Sequence, residues 1–63
     1  MDRIDAEAAL DLINDYWPGT LEHQQIERWA TAVIRTGADF DLTCQWIADH
    51  AATSPYPPRL SDI

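Results

Sequence analysis

The sequence predicts an all-α fold: a compact three-helix bundle closed by a proline corner and a short fourth helix. Three observations predict it. Apolar residues recur at three- and four-residue spacing in three successive stretches. Each stretch ends at a breaker: Pro18-Gly19, then Gly37, then the run Pro55-Tyr56-Pro57-Pro58. No stretch alternates with period two over a useful length, so strands are not expected. The short breaks favour antiparallel helix neighbours, and the chain of 63 residues reads as a single small domain, 1–63.

The first helix is expected over residues 3–16. Asp2 is its N-cap, with Asp5 in the capping-box position. Ile4, Ala8, Leu12, Ile13 and Tyr16 give an apolar stripe that Ala9 and Leu10 broaden. The second helix is expected over 21–36, capped by Thr20, with Ile26, Trp29, Ala30, Val33 and Ile34 on its apolar face. Glu22 in the first turn and Arg35 in the last suit the macrodipole, and Gly37 stands at the left-handed C-cap position. The third helix is expected over 42–52, capped by Asp39 or Asp41. Phe40, Cys44, Ile47, Ala48 and Ala51 share one face, Leu42 and Trp46 lie on a flank, and Phe40 staples the entrance if Asp41 is the cap.

Beyond it, prolines at 55, 57 and 58 cannot continue a helix. The sequence assigns Pro55, Pro57, Pro58 and Leu60 to a structural corner. Pro58 suits the first turn of a last helix, over 58–63, with Leu60 and Ile63 as its apolar face. The corner is expected to bring Tyr56 and Leu60 back onto the bundle, with Tyr56→Ala costing ~2–4 kcal/mol.

Composition narrows the function. Eleven acids stand against four bases, for a net charge of −7. That balance disfavours direct nucleic-acid binding and favours a basic protein surface as partner. No apolar run reaches the ~20 residues of a membrane span, and the acidic start lacks a signal peptide's apolar region. A cytoplasmic location is expected, in keeping with the single cysteine, Cys44.

No constellation for catalysis is visible, and no enzyme activity, metal or cofactor is expected. His23 and Glu27 are four apart, yet a metal site needs three or four ligands, so a solvated polar face is the stronger reading. His50 near the end of the third helix reads as capping or partial packing. Cys44 reads as a small buried hydrophobe.

Two features point to binding. Glu7, Asp11 and Asp15 align on one side of the first helix, offset locally only by Arg3. They read as a solvated outer face or as a docking stripe for a basic partner. Trp17, Trp29 and Trp46 fall in different segments, and two or more are expected to meet in the core. Trp46 either packs under Tyr56 and the prolines or serves as an exposed anchor, since Trp and Tyr dominate interface hot spots.

Taken in order, several signatures form a pattern: Tyr16-Trp17-Pro18 after the first helix, Trp29 in the second, Trp46-Ile47-Ala48-Asp49-His50 in the third, and the closing Tyr56-Pro57-Pro58-Arg59-Leu60-Ser61-Asp62-Ile63. The pattern resembles the N-terminal helical domain of phage replicative-helicase loader/inhibitor proteins, the replisome organisers. The likeness spans most of the chain, and its most specific part is the closing aromatic-Pro-Pro motif. Arg59 departs from the small hydroxyl residue usual in that motif.

The resemblance implies a non-enzymatic phage-type replication protein that binds a DnaB-type hexameric helicase, holds it inactive and helps deliver it to an origin. Family members continue into a disordered tail that contributes to helicase binding, and no tail contact carries over to a residue here. The candidate partner-binding residues are Glu7, Asp11, Asp15, Trp46, Tyr56 and Arg59. The alternative is a small acidic inhibitor, or nucleic-acid mimic, on a basic surface of another host protein. A homodimer burying an exposed tryptophan is a third reading.

Overall fold

Asp2 starts the first helix. Its backbone is extended, and its carboxylate accepts the Asp5 N–H at 2.8 Å, as the sequence predicts. The structure, a computed structural model, describes residues 1–62. It contains three α-helices and one short 3-10 turn: α1 (Arg3–Tyr16), α2 (His23–Thr36), α3 (Phe40–Thr53) and the turn Leu60–Asp62. No strand occurs among the described residues.

The buried face of α1 is Ala6, Ala9, Leu10 and Ile13. This corrects the expected stripe. Ile4 is 78% exposed, Ala8 is exposed, and Tyr16 is 47% exposed. The reason is packing. α1 lies against both α2 and α3, so its core-facing centre falls between those neighbours. Ala6 and Ala9 keep that face low enough for two helices to approach. Leu10, Ile13, Val33 and Ile47 are the largest fully buried side chains, each contributing about 1.5–3 kcal/mol.

The α1–α2 connection depends on Asn14. Its carboxamide donates to the Leu21 carbonyl at 2.9 Å and accepts the Leu21 N–H at 2.8 Å. Leu21 is thereby held as a buried core residue in a loop, not as the first residue of a helix. Gly19, at φ +77°, supplies the left-handed turn after Pro18. Thr20 does not cap α2, because its hydroxyl donates to the Trp17 carbonyl. The N-cap is Glu22, whose N–H is accepted by the Gln25 side chain at 3.0 Å.

Ile26, Ala30 and Val33 are buried on α2, with Trp29 and Ile34 packed against the core. Arg35 occupies the last turn, and Gly37 ends the helix in the left-handed region as expected. Asp39 caps α3 by accepting the Leu42 N–H at 3.1 Å. Phe40 is therefore the first helical residue rather than a staple before the cap. Thr43 and Ile47 are the buried positions of α3. Phe40, Cys44, Ala48 and Ala51 are only half-buried.

Ser54 ends α3 in an extended conformation. The expected last helix over 58–63 is instead the three-residue 3-10 turn Leu60–Asp62, and Ile63 lies outside the described residues. The Cα radius of gyration is 10.5 Å, which is the ~11 Å of a fully compact chain of this length.

Candidate functional site

Three tracts of surface hold the residues singled out from the sequence. The first joins the end of α1, the end of α3 and the proline segment. The His50 ring stacks on Trp46, with centroids 5.3 Å apart, and meets Trp17 edge-on at 5.7 Å. Tyr16 meets Trp17 edge-on at 6.0 Å. His50 lies one helical turn beyond Trp46, which makes the stack local to α3. Trp17 reaches it because α1 packs on α3.

The imidazole also anchors the chain beyond α3. Its Nε2 lies 3.0 Å from the Tyr56 carbonyl. A carbonyl only accepts, so this nitrogen carries the proton and Nδ1 is the other ring nitrogen. Ser54 reinforces the arrangement: its hydroxyl donates to the same carbonyl at 3.3 Å and accepts the Tyr56 N–H at 3.2 Å.

The Tyr56 ring itself is 74% exposed. The sequence expectation that the Tyr56 side chain packs back onto the bundle is therefore overturned. The main chain of Tyr56 makes the contacts, and Trp46 stacks on His50. Pro58 is buried, Leu60 is half-buried, and Pro55, Pro57 and Arg59 are exposed. None of the three tryptophans is fully buried; two meet through His50, and Trp29 lies partly buried against the core.

The second tract is an open groove of about 240 Å³ lined by Ala38, Asp39, Leu42, Thr43, Trp46 and Asp62. Leu42 is 67% exposed. Leu42 and Trp46 are four apart and share one flank of α3. The 3-10 turn adds Asp62 to the lining, and its carboxylate accepts the Arg59 N–H at 3.0 Å. Sequence reading marked the Leu42–Trp46 flank. It missed Ala38 and Asp39, about one turn before Leu42 in the same segment, and Asp62, which only the return of the C-terminal segment brings to the groove.

The third tract is the acidic stripe on α1. Asp11 and Asp15 are exposed and Glu7 is half-buried. Arg3 does not offset them as the sequence suggests. Its guanidinium donates to the Thr31 hydroxyl at 3.1 Å and to the Glu27 carbonyl at 3.0 Å, both on α2. Among the described residues the one contact between a basic and an acidic side chain within 4 Å is His23 Nε2–Glu27 Oε1, at 3.2 Å on an exposed face. The stripe is brought together by its own helix and shares no residue with the groove.

Cys44 is half-buried, and burial, with the Asp41 carboxylate second, pushes its thiol above the ordinary range. A thiol held protonated is a poor nucleophile. Among the described residues no three His, Cys, Asp or Glu side chains converge as metal ligands do. No described helix is long and apolar enough to cross a membrane.

Compared with known proteins, the chain matches no family model, no curated protein and no solved structure. The class that fold and surface define is a small all-helical domain with an exposed apolar groove and a separate acidic stripe.

Proposed function

We propose that this chain is a non-enzymatic, phage-type DNA-replication protein that binds a DnaB-type replicative helicase and loads or inhibits it in the host cytoplasm. The observation that carries the reading is the surface around the closing motif. Leu42 and Tyr56 are exposed large apolar side chains; Leu42 and Trp46 line the groove, and Trp46 is linked to the Tyr56 carbonyl through His50. Aromatic and aliphatic anchors beside a concavity are what a protein interface uses. The closing motif that carries the family resemblance supplies Tyr56 to this surface and Asp62 to the groove, whose other lining comes from residues 38–46. In this reading the proline corner closes the bundle, an arrangement supported by the burial of Pro58 and the hydrogen bond from His50.

The test is to mix the purified chain with the hexameric helicase of its host and follow association by sedimentation and calorimetry. Binding at micromolar concentration is expected. No association at about 50 μM, a binding free energy weaker than about −6 kcal/mol, overturns the reading.

A second reading has its own observation. Arg3 is turned onto α2, which leaves Glu7, Asp11 and Asp15 without a paired cation among the described residues. In that reading the chain is a small acidic inhibitor on a basic surface of another host protein. Charge reversal along the stripe should then abolish binding, and salt should weaken it steeply. Binding indifferent to both removes this alternative.

A further inference from the structure

The groove carries a statement about what the partner looks like. Its volume, about 240 Å³, lies below the ~300–1,000 Å³ typical of small-molecule pockets. It is open along one side and suits a single bulky side chain rather than an enclosed ligand. Ala38, Leu42 and Trp46 give it apolar lining, and Asp39 and Asp62 add two carboxylates. No cation is among its lining residues. Each carboxylate spends one oxygen on a backbone N–H, Asp39 on Leu42 and Asp62 on Arg59. The second oxygen of each has no hydrogen-bond partner among the described residues. Both residues are exposed, so these oxygens can meet an incoming donor.

The complementary object presents an apolar side chain with positive charges beside it. We propose that the groove receives a basic amphipathic segment of the partner protein. One large apolar side chain of that segment seats against Leu42 and Trp46, and flanking Lys or Arg side chains pair with Asp39 and Asp62. The proposal rests on the helicase-binding reading for the partner's identity, and it adds the face used and the chemistry that face selects. A second copy of this chain is a poor occupant, because two chains of net charge −7 repel.

The experiment has two arms. In the first, the host helicase is titrated with the wild-type chain, with Leu42→Ser, and with the double variant Asp39→Asn, Asp62→Asn. Leu42 is exposed, so its replacement leaves the fold intact, as far-UV circular dichroism checks. Asn retains the capping oxygen at both aspartates and removes only the charge. Each variant is expected to weaken binding about tenfold, and only the aspartate variant should lose salt dependence. In the second arm, a short synthetic helical peptide of Leu, Phe and Arg is added to the isotopically labelled chain. Backbone and indole resonances of Ala38, Leu42 and Trp46 should shift, whereas a peptide with Glu in place of Arg should leave them unmoved.

Helicase binding that neither variant weakens overturns the groove proposal while leaving the helicase reading intact. Peptide-induced shifts at the groove without helicase binding support the groove and overturn the helicase reading. No shift with the basic peptide, or equal shifts with both peptides, counts against the groove. Self-association of the wild type that Leu42→Ser abolishes assigns the face to a second copy and overturns the proposal.

Discussion

At the scale of single residues, position 56 separates what a side chain does from what its backbone does. The Tyr56 ring is 74% exposed, while its carbonyl and N–H are both hydrogen-bonded. Tyr56→Ala should therefore cost less than about 1 kcal/mol in urea unfolding, as surface substitutions do, and not the 2–4 kcal/mol that sequence alone suggests. The energetic weight moves to His50. Its ring touches Trp17 and Trp46 and holds the Tyr56 carbonyl. His50→Ala should cost about 2–3 kcal/mol, summing a hydrogen bond and two aromatic contacts. His50→Gln retains a donor and should recover part of that loss. Thermal unfolding reads both, since 1 kcal/mol moves Tm by about 4–8 °C in a domain this small.

At the scale of elements, the sequence revealed the helices better than their orientation. Asp2 and Gly37 marked true boundaries, and of the two candidate caps Asp39 and Asp41 the structure uses Asp39, because caps are local chemistry, set within a few residues. The buried face of α1 was misread because Ile4 and Tyr16 look like core residues by type. Which stripe is buried depends on where α2 and α3 sit, and no local spacing records that. Thr20 was misread for a related reason. It is a good cap by composition, but Asn14 holds Leu21 in the connecting loop, and α2 starts at His23. Asn14→Ala should leave the part-buried N–H and carbonyl of Leu21 unpaired and cost about 2–3 kcal/mol in denaturant unfolding. The groove was half legible: Leu42 and Trp46 stand out by spacing, but Asp62 joins them only through the fold of the C-terminal segment.

At the scale of the whole molecule, charge is unevenly spread. Of the eleven acids, Glu7, Asp11 and Asp15 stand at four-residue spacing along α1, and like charges so placed repel by about 0.2–0.5 kcal/mol per pair. Arg3, bonded to α2, leaves that repulsion uncompensated. Asp11→Lys converts both neighbouring pairs to attractive ones and should raise stability by about 0.5–1 kcal/mol at low salt. The gain should shrink as salt is added, and chemical denaturation at two ionic strengths measures it.

The packing of α1 has a kinetic consequence. α1 contacts both other helices, while α2 and α3 touch each other far less. The α1–α2 hairpin, with its Asn14 clamp and Arg3 bridge, can persist while α3 is detached. Because His50 ties the Tyr56 carbonyl to α3, the proline segment should leave and return with that helix. Native-state hydrogen exchange should find α3 amides opening together at a lower free energy than those of α1. His50→Ala should uncouple the Tyr56 amide from that event. The groove would then exist only while α3 is docked, so a partner held there would slow exchange along the entire third helix.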